Sequence, residues 1–369
     1  MAKTENLNWI DPRDDLLDWL NVADWEANGE GFQPVRVAKA WRDKWPPKTA
    51  GRATSAAGMA VRFRTDAQKV VFRVTFREFP DETPPAVAAG AWERARPNFF
   101  SLYRDGKYVA SMAGDTHFER QDVTICDDRS VSGQSEVQVL LPFYYRNAEI
   151  ILHGIGVNAG AKLSRAPEDR RPRIFFNGDS ITQGHGVTSP RETYVWQVAE
   201  QLNCVGINFG FGGSGWADRI VAETIAARSN WDVLVNMLGT NSFVGSDAFG
   251  KPETAAQYTQ KYDAFLGAIR QGHPQKPILC VAPILNRADL ARGPNRNGER
   301  SELYRDGMAR VVKQRQQTDK NLHFLDGLEL VNDPLFLLVT DNVHPNDAGM
   351  HRIANGVAAA LRPLVAGLK

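Results

Sequence analysis

Cysteine is scarce in this chain: Cys126, Cys204 and Cys280 are the only three among 369 residues. They lie far apart in apolar stretches, without the paired spacing of a disulfide framework or a zinc site. All three are expected to be reduced core residues. Net charge is nearly absent as well, with 44 Lys and Arg against 43 Asp and Glu for a total of +1. The chain therefore has no global field to draw in nucleic acid or an anionic membrane, and neither is expected as a partner. Long hydrophobic runs are also missing. No window approaches the ~18 consecutive apolar residues of a membrane span, and the opening MAKTENLNWIDPRDDLLDWL lacks the apolar core of a signal peptide. A cytoplasmic location is the expectation. Internal repeats and low-complexity segments are absent too. What is present is an ordinary globular composition, 43% apolar and 24% charged, able to bury a sizeable core. The length suits two domains at roughly 150 residues each.

The two halves differ in rhythm. Up to about residue 165 the pattern is strand-like, and MAVRFRTDAQKVVFRVTF at 59–76 alternates apolar and polar residues on both sides of a turn, which predicts a hairpin. FFSLYRDGKYVASM places Asp105-Gly106 between two further strands, a strong hairpin signal. With SEVQVLLPFYYRNAEIILHGIGV these strands predict an antiparallel sandwich. After the polar linker LSRAPEDRRPR, short apolar strands alternate with helical stretches. Strands are predicted at 173–177, 204–208, 231–238, 277–282 and 322–325, with amphipathic segments at 254–271 and 299–317. Five such repeats imply an α/β domain, a parallel sheet with helices on both faces. The boundaries drawn from this are 1–165 for the sandwich and 172–369 for the α/β domain.

In an open α/β sheet, chemistry gathers in the loops beyond the carboxyl ends of the strands. Three such loops carry it: Gly178-Asp179-Ser180, the stretch NFGFGGSG from Asn208 to Gly215, and LGTNS from Leu238 to Ser242. A fourth segment, TDNVHPNDAG, follows the last strand. A phosphate loop needs G-x-x-x-x-G-K-[ST]. Gly178 and Gly184 are wrongly spaced for it, no lysine follows, and Asp179 would repel the phosphate. The run Gly210 to Gly215 fits G-x-G-x-x-G, yet the strand after it ends Asn236-Met237-Leu238-Gly239 without the acid that holds ribose hydroxyls. An oxidoreductase with a bound nucleotide is the weaker reading, and no cofactor is expected.

A serine nucleophile accounts for more of these residues. Its hydroxyl needs a base, and the oxyanion formed on the substrate needs donors. Ser180 at a strand-to-helix turn supplies the hydroxyl, His344 the base, and Asp341, three residues earlier, a carboxylate to orient the ring. Asn241 offers a side-chain amide at the tip of the third strand, and the glycine loop a backbone N–H. No H-E-x-x-H or similar pattern suggests a metal.

These four segments resemble the blocks of the SGNH (GDSL-type) hydrolase family. Gly178-Asp179-Ser180-Ile181-Thr182-Gln183-Gly184 is similar to its nucleophile block and Asp341-Asn342-Val343-His344-Pro345 to its Asp-x-x-His-Pro block. The resemblance spans roughly 172–362 and implies a flavodoxin-like, three-layer domain with a five-stranded parallel sheet. It implies Ser180 as nucleophile, His344 as general base and acid, and Asp341 as orienter. The oxyanion donors it implies are Ser180, Gly213 and Asn241, with Gly210 as a substitute for Gly213. One departure stands out: Gly239-Thr240-Asn241-Ser242 ends in serine where the family block usually ends in aspartate. The first half looks like the sandwich that precedes the catalytic domain in two-domain family members, similar to a jelly-roll-like carbohydrate-binding module. The implied activity is a serine esterase that removes a small, acetyl-like group from a carbohydrate or similar polyol ester. Acyl transfer by the same triad is the alternative, and a non-catalytic carbohydrate-binding protein the rival of another class. The resemblance also admits a homo-oligomer.

Further substrate contacts are expected from Asp179, His185, Arg287 and Arg292. His185 follows the nucleophile block directly, with a loop histidine of no chemical role as the competing reading. The two arginines belong to LNRADLARGPNRNGER, Leu285 to Arg300, which reads either as a flap over the pocket or as a solvated loop. His351, seven residues past His344, reads as sharing its helix face or as facing solvent. Trp41, Trp45 and Trp92 offer a sugar-stacking platform, against the commoner role of aromatics as core.

Overall fold

The computed structural model describes residues 6–77, 98–114, 119–143, 149–245, 250–291, 293–338 and 341–368. They divide into two compact units. The first comprises the described residues within Met1–Arg42, Ala53–Asp169 and Ser189–Arg191, and the second those within Asp43–Arg52, Arg170–Thr188 and Glu192–Lys369.

The first unit is a pair of antiparallel sheets. One runs in the order Asp24–Asn28, Gly31–Val35, Glu149–Asn158, Lys69–Arg77, Gln121–Asp127, with Leu7–Ile10 also paired to Glu149–Asn158. The other runs Leu163–Arg165, Ala60–Thr65, Ser135–Leu140, Asn98–Arg104, Lys107–Gly114, with Asp18–Leu20 paired to Ala60–Thr65. Alternation along the strands sends Phe63 and Phe100 from one sheet and Phe72 and Phe76 from the other into a common core. The Phe72 and Phe100 rings meet at 5.5 Å between centroids.

Asp105-Gly106 forms the expected hairpin turn between Arg104 and Lys107. Both residues have positive φ, 47° and 74°, as a two-residue turn matched to strand twist requires. The segment 59–76 does not form a hairpin. Ala60–Thr65 and Lys69–Arg77 belong to different sheets, and the link between them crosses from one layer to the other. It is tied to chain far away in sequence: Asp66 Oδ1 accepts from the Lys162 N–H at 2.7 Å, and the Gln68 N–H donates to Asn158 Oδ1 at 2.9 Å. Alternation reports that each strand has one buried face. It does not report which neighbour the strand pairs with, and two strands facing one core from opposite sides alternate alike.

The second unit holds five parallel strands, Val205–Gly210, Arg173–Gly178, Val233–Met237, Ile278–Val281 and Leu322–Leu325, in that spatial order. The first three in chain order are almost wholly buried, which is why they read as continuous apolar runs without alternation. Helices follow at the predicted places. Ala255–Gly272 starts at a capping box, with Thr254 and Gln257 each accepting from the other's backbone N–H. The strand order reverses at Arg173–Gly178, which has the second and third strands as neighbours on its two sides. The loop beyond its carboxyl end therefore opens at the switch point where ligands bind in such sheets.

Residues Asp43–Arg52 belong to this second unit. Trp45 is 4% exposed, its Nε1–H donates to Thr224 Oγ1 at 2.9 Å, and its indole meets Phe209 and Phe211 edge-on at 5.7 and 5.1 Å. It is a core residue and offers no platform for a sugar, while Trp92 lies outside the described residues. Cys204 and Cys280 are buried, whereas Cys126 is half-buried and accepts from the Arg104 guanidinium. Among the described residues no helix is long and apolar enough to cross a membrane.

Candidate active site

Strand Arg173–Gly178 ends against a close approach. A Cβ on Gly178 would lie 2.0 Å from Thr182 Oγ1, so only glycine lets the chain turn there. Asp179 then caps the short helix Ser180–Gln183, its Oδ1 accepting from the Ile181 N–H at 2.8 Å. Ser180 is thus the first residue of the helix and not its cap. Its own N–H belongs to the first-turn donors that a helix leaves unbonded. Gly184 closes the helix in the left-handed region, φ 108°.

The Ser180 Oγ lies 2.7 Å from His344 Nε2, and His344 Nδ1 lies 2.7 Å from Asp341 Oδ2. The Asp341–His344 turn is organised by its own carboxylate, since Asp341 Oδ1 accepts from the N–H groups of Val343 and His344 at 2.9 and 3.1 Å. Asn342 sits in the left-handed region, φ 53°, where asparagine is among the better-tolerated residues. Leu338 braces the turn, its N–H donating to the His344 carbonyl at 2.7 Å. Burial pushes the Asp341 carboxyl upward, but the imidazole hydrogen bond, the His344 charge and the two N–H groups outweigh it and hold the carboxyl at about 2. Asp341 is therefore an anion at neutral pH, hydrogen-bonded to Nδ1 while Nε2 faces the serine.

The two other loops bring donors to the same edge. In the glycine loop, the Gly210 N–H donates to Asn208 Oδ1 at 2.9 Å and the Gly212 N–H to Gln183 Oε1 at 2.6 Å. Gly210 thus has no donor to offer an oxyanion. It is glycine because a Cβ there would sit 2.1 Å from the Gln183 backbone nitrogen, so the G-x-G-x-x-G match reflects one loop packing on another. Gly213 is half-buried with φ 71°, and among the described residues nothing occupies its N–H. Asn241 stands at the start of helix Thr240–Val244. Its Oδ1 accepts from the Gly215 N–H at 2.8 Å, so Nδ2 is the end left for a ligand.

Of the four expected substrate contacts, Asp179 is placed otherwise. It is 1% exposed, and its carboxylate is spent on the Ile181 N–H and on Thr240. Because burial outweighs those hydrogen bonds and the His344 charge, its carboxyl titrates above the usual value. The stability tied to the neutral form is then complete below the unfolded value of about 3.9 and is lost as pH rises through the raised folded value. Asparagine caps helices as well as aspartate and does not titrate. Melting curves from about pH 4 to about pH 8 should show Asp179→Asn gaining on the native chain as pH rises; a pH-independent difference would contradict this assignment.

His185 lies beside the base, its ring centroid 4.0 Å from that of His344. One ligand atom from each of His185, Asp341 and His344 lies within 4.8 Å of the others. These are the groups among the described residues that a cation would engage, and seating one would compete with the bonds of His344 to Asp341 and Ser180. Arg287 is exposed at the start of helix Arg287–Ala291, and Arg292 lies outside the described residues.

The segment around these arginines is fastened on both sides of position 292 rather than hanging free as a flap. Asp289 pairs with the Arg305 guanidinium at 2.6 Å and accepts from Ser301 Oγ, while Asn295 Nδ2 donates to the Phe243 carbonyl at 3.1 Å and Asn297 Nδ2 to that of Pro252 at 2.9 Å. His351 Nδ1 is 2.9 Å from Gln197 Oε1 and plays no part in the site. Sequence reading passed over Gln183, Asn208, Gly215 and Trp216, which hold the glycine loop. Juxtaposition of loops distant in sequence gives Gln183, Asn208 and the Gly215 N–H their partners, whereas Trp216 bonds to Gly213 three residues before it.

Residues 176–352 match the model of the GDSL-like lipase/acylhydrolase family, and residues 22–151 match that of the SsfX3 N-terminal domain. Among solved structures, the salicylyl-acyltransferase SsfX3 from a tetracycline biosynthetic pathway superposes with a TM-score of 0.80 at 20% identity, over 96% of this chain and 97% of that one. A GDSL-like lipase from Bacteroides ovatus gives 0.76 at 21% identity, over 98% of each chain. A family two carbohydrate esterase from Cellvibrio japonicus gives 0.64 at 14% identity, over 99% of this chain and 100% of that one. At such identities the likeness establishes a shared fold. No curated protein matches the sequence.

Proposed function

Because the chain carries a GDSL-like lipase/acylhydrolase domain behind an SsfX3-type N-terminal domain, we propose that it is a serine esterase releasing a small acyl group from a sugar or similar polyol ester. The observation that carries the reading is the relay Ser180 Oγ, His344 Nε2, His344 Nδ1, Asp341 Oδ2, joined by two contacts of 2.7 Å. An ordinary serine hydroxyl is inert; one bonded to an imidazole whose other nitrogen faces a carboxylate is activated.

In this mechanism Ser180 Oγ attacks the ester carbonyl and its proton passes to His344 Nε2. Asp341 stabilises the imidazolium without taking the proton. The tetrahedral oxyanion is met by the N–H groups of Ser180 and Gly213 and by Asn241 Nδ2. As the C–O bond breaks, His344 gives its proton to the departing alcohol and an acyl-enzyme remains. Water, deprotonated by His344, attacks the acyl carbon and releases the acid and the free serine.

The substrate class draws support from the family two carbohydrate esterases that share the fold. A second reading, transfer to an alcohol in place of water, is favoured by a specific observation: both the front-domain match and a full-length structural neighbour involve SsfX3, an acyltransferase. Incubation with acetylated sugars, with and without polyol acceptors, separates the two. Release of acetate independent of acceptor is the expected result. Intact mass measured after treatment with an organophosphonate should rise by one adduct in the native chain and by none in Ser180→Ala. A chain that takes no adduct and turns over no ester would be a carbohydrate-binding protein with an idle triad.

A further inference from the structure

The glycine loop runs on past Gly213 into two residues with an unusual pair of bonds. The Gly215 N–H donates to Asn241 Oδ1 at 2.8 Å, and the indole Nε1–H of half-buried Trp216 donates back to the Gly213 carbonyl at 2.7 Å. Because a backbone N–H can only donate, the first bond assigns the oxygen end of the Asn241 amide and so fixes which way Nδ2 points. The second closes a tight loop on Gly213, whose positive φ of 71° is a conformation that a free glycine would share with many others. Gly215 is also hemmed in: a Cβ there would lie 2.7 Å from Asp179 Cβ, 3.2 Å from Asn241 Oδ1 and 3.2 Å from Leu238 Cδ2.

We propose that Gly215 and Trp216 are positioning residues that set both loop-borne oxyanion donors, Gly215 through the Asn241 amide and Trp216 by anchoring the Gly213 carbonyl and with it the backbone of the residue whose N–H is the donor. The inference rests on the esterase reading above. In this role both residues act through another group. Each removes freedom from that group, so that the donors are aimed before charge develops and need no reorganisation when it does. Loss of either should therefore be felt in the transition state and little in ground-state binding.

The test uses the full chain and a chromogenic acetate ester. Trp216→Phe keeps an aromatic ring while deleting the N–H donor and one of the two fused rings; it should lower kcat about 10-fold with KM within about twofold, and weaken an arylboronic acid, which mimics the tetrahedral adduct, by a similar factor. Gly215→Ala should also lower kcat at least about 10-fold, but in an Asn241→Ala background its further effect should shrink to within about threefold, because the group it positions is gone. Unchanged kcat and boronate affinity in Trp216→Phe, or a Gly215→Ala effect that multiplies in full with that of Asn241→Ala, overturns the inference. Should Gly215→Ala fail to fold by circular dichroism, the kcat, KM and boronate pattern of Trp216→Phe decides alone. Failure of the esterase reading looks different, since Ser180→Ala would then retain turnover whatever these variants do.

Discussion

Ser180→Ala and His344→Ala are each expected to lose about 10⁶-fold in kcat on an activated acetate ester, with melting temperature and circular dichroism close to those of the native chain. The size of the loss follows from the relay. In the proposed mechanism the Ser180 oxygen is the atom that bonds to carbon, and among the described residues the His344 imidazole is the group hydrogen-bonded to it that can take its proton. Removing both at once costs hardly more than removing either, because the two act as one unit. The residual rate over water reflects the oxyanion donors and binding, and Asn241→Ala should lower native kcat by about 10²- to 10³-fold. The fold is spared because Ser180 lies at the start of a four-residue helix whose cap bond is made by Asp179. Single-turnover and steady-state measurements of both variants check this. Full turnover in Ser180→Ala would remove the serine mechanism.

Asp341→Asn is expected to have the second largest effect, a loss of about 10⁴-fold in kcat with geometry preserved. An amide nitrogen facing Nδ1 favours the tautomer with its proton on Nε2, and a ring protonated there cannot accept from Ser180. The variant also reports on stability. The folded carboxyl is held at about 2, below its unfolded value of about 3.9. The stability it contributes is thus fully present above about pH 4 and is lost as pH falls through about 2. Acid titrations followed by tryptophan fluorescence should show the native chain losing this component below about pH 4, and Asp341→Asn lacking it. A rate loss under tenfold would mean that the carboxylate does not orient the ring.

How much of this was legible beforehand depended on whether the signal was local. The Asp105-Gly106 turn was readable because the positive φ values it needs are properties of those two residues. Four of the five parallel strands were readable because burial on both faces leaves a continuous apolar run, whereas Leu322–Leu325 is only partly buried. At 59–76 the same approach failed, since pairing partners lie far off in sequence: Ala60–Thr65 pairs with Ser135–Leu140, and Lys69–Arg77 with Glu149–Asn158 and Gln121–Asp127. Residues 43–52 misled for a related reason. They precede the strand-rich stretch and look like part of it, yet Trp45 is buried among Phe209, Phe211 and Thr224. Asp179 was expected to meet substrate, but consecutive residues at a helix start point in different directions. One faces the site and the other caps the helix from beneath.

The sequence by itself determined which chemical groups this protein has to work with, and on which loops: a hydroxyl after the first parallel strand, an amide after the third, a carboxylate and an imidazole three residues apart before the last helix. Residue type and local periodicity carry that information within a few positions. Only the tertiary structure decided that Ser180 and His344, separated by 164 positions, stand 2.7 Å apart, that Gly210 has no donor to spare, and that the Gly215 N–H meets Asn241 Oδ1. The physical reason is that hydrogen-bond partnership is a property of space. A backbone N–H in a glycine-rich loop is the same group at Gly210, Gly212 and Gly213, and what each one does is set by the atom that the rest of the fold brings to it.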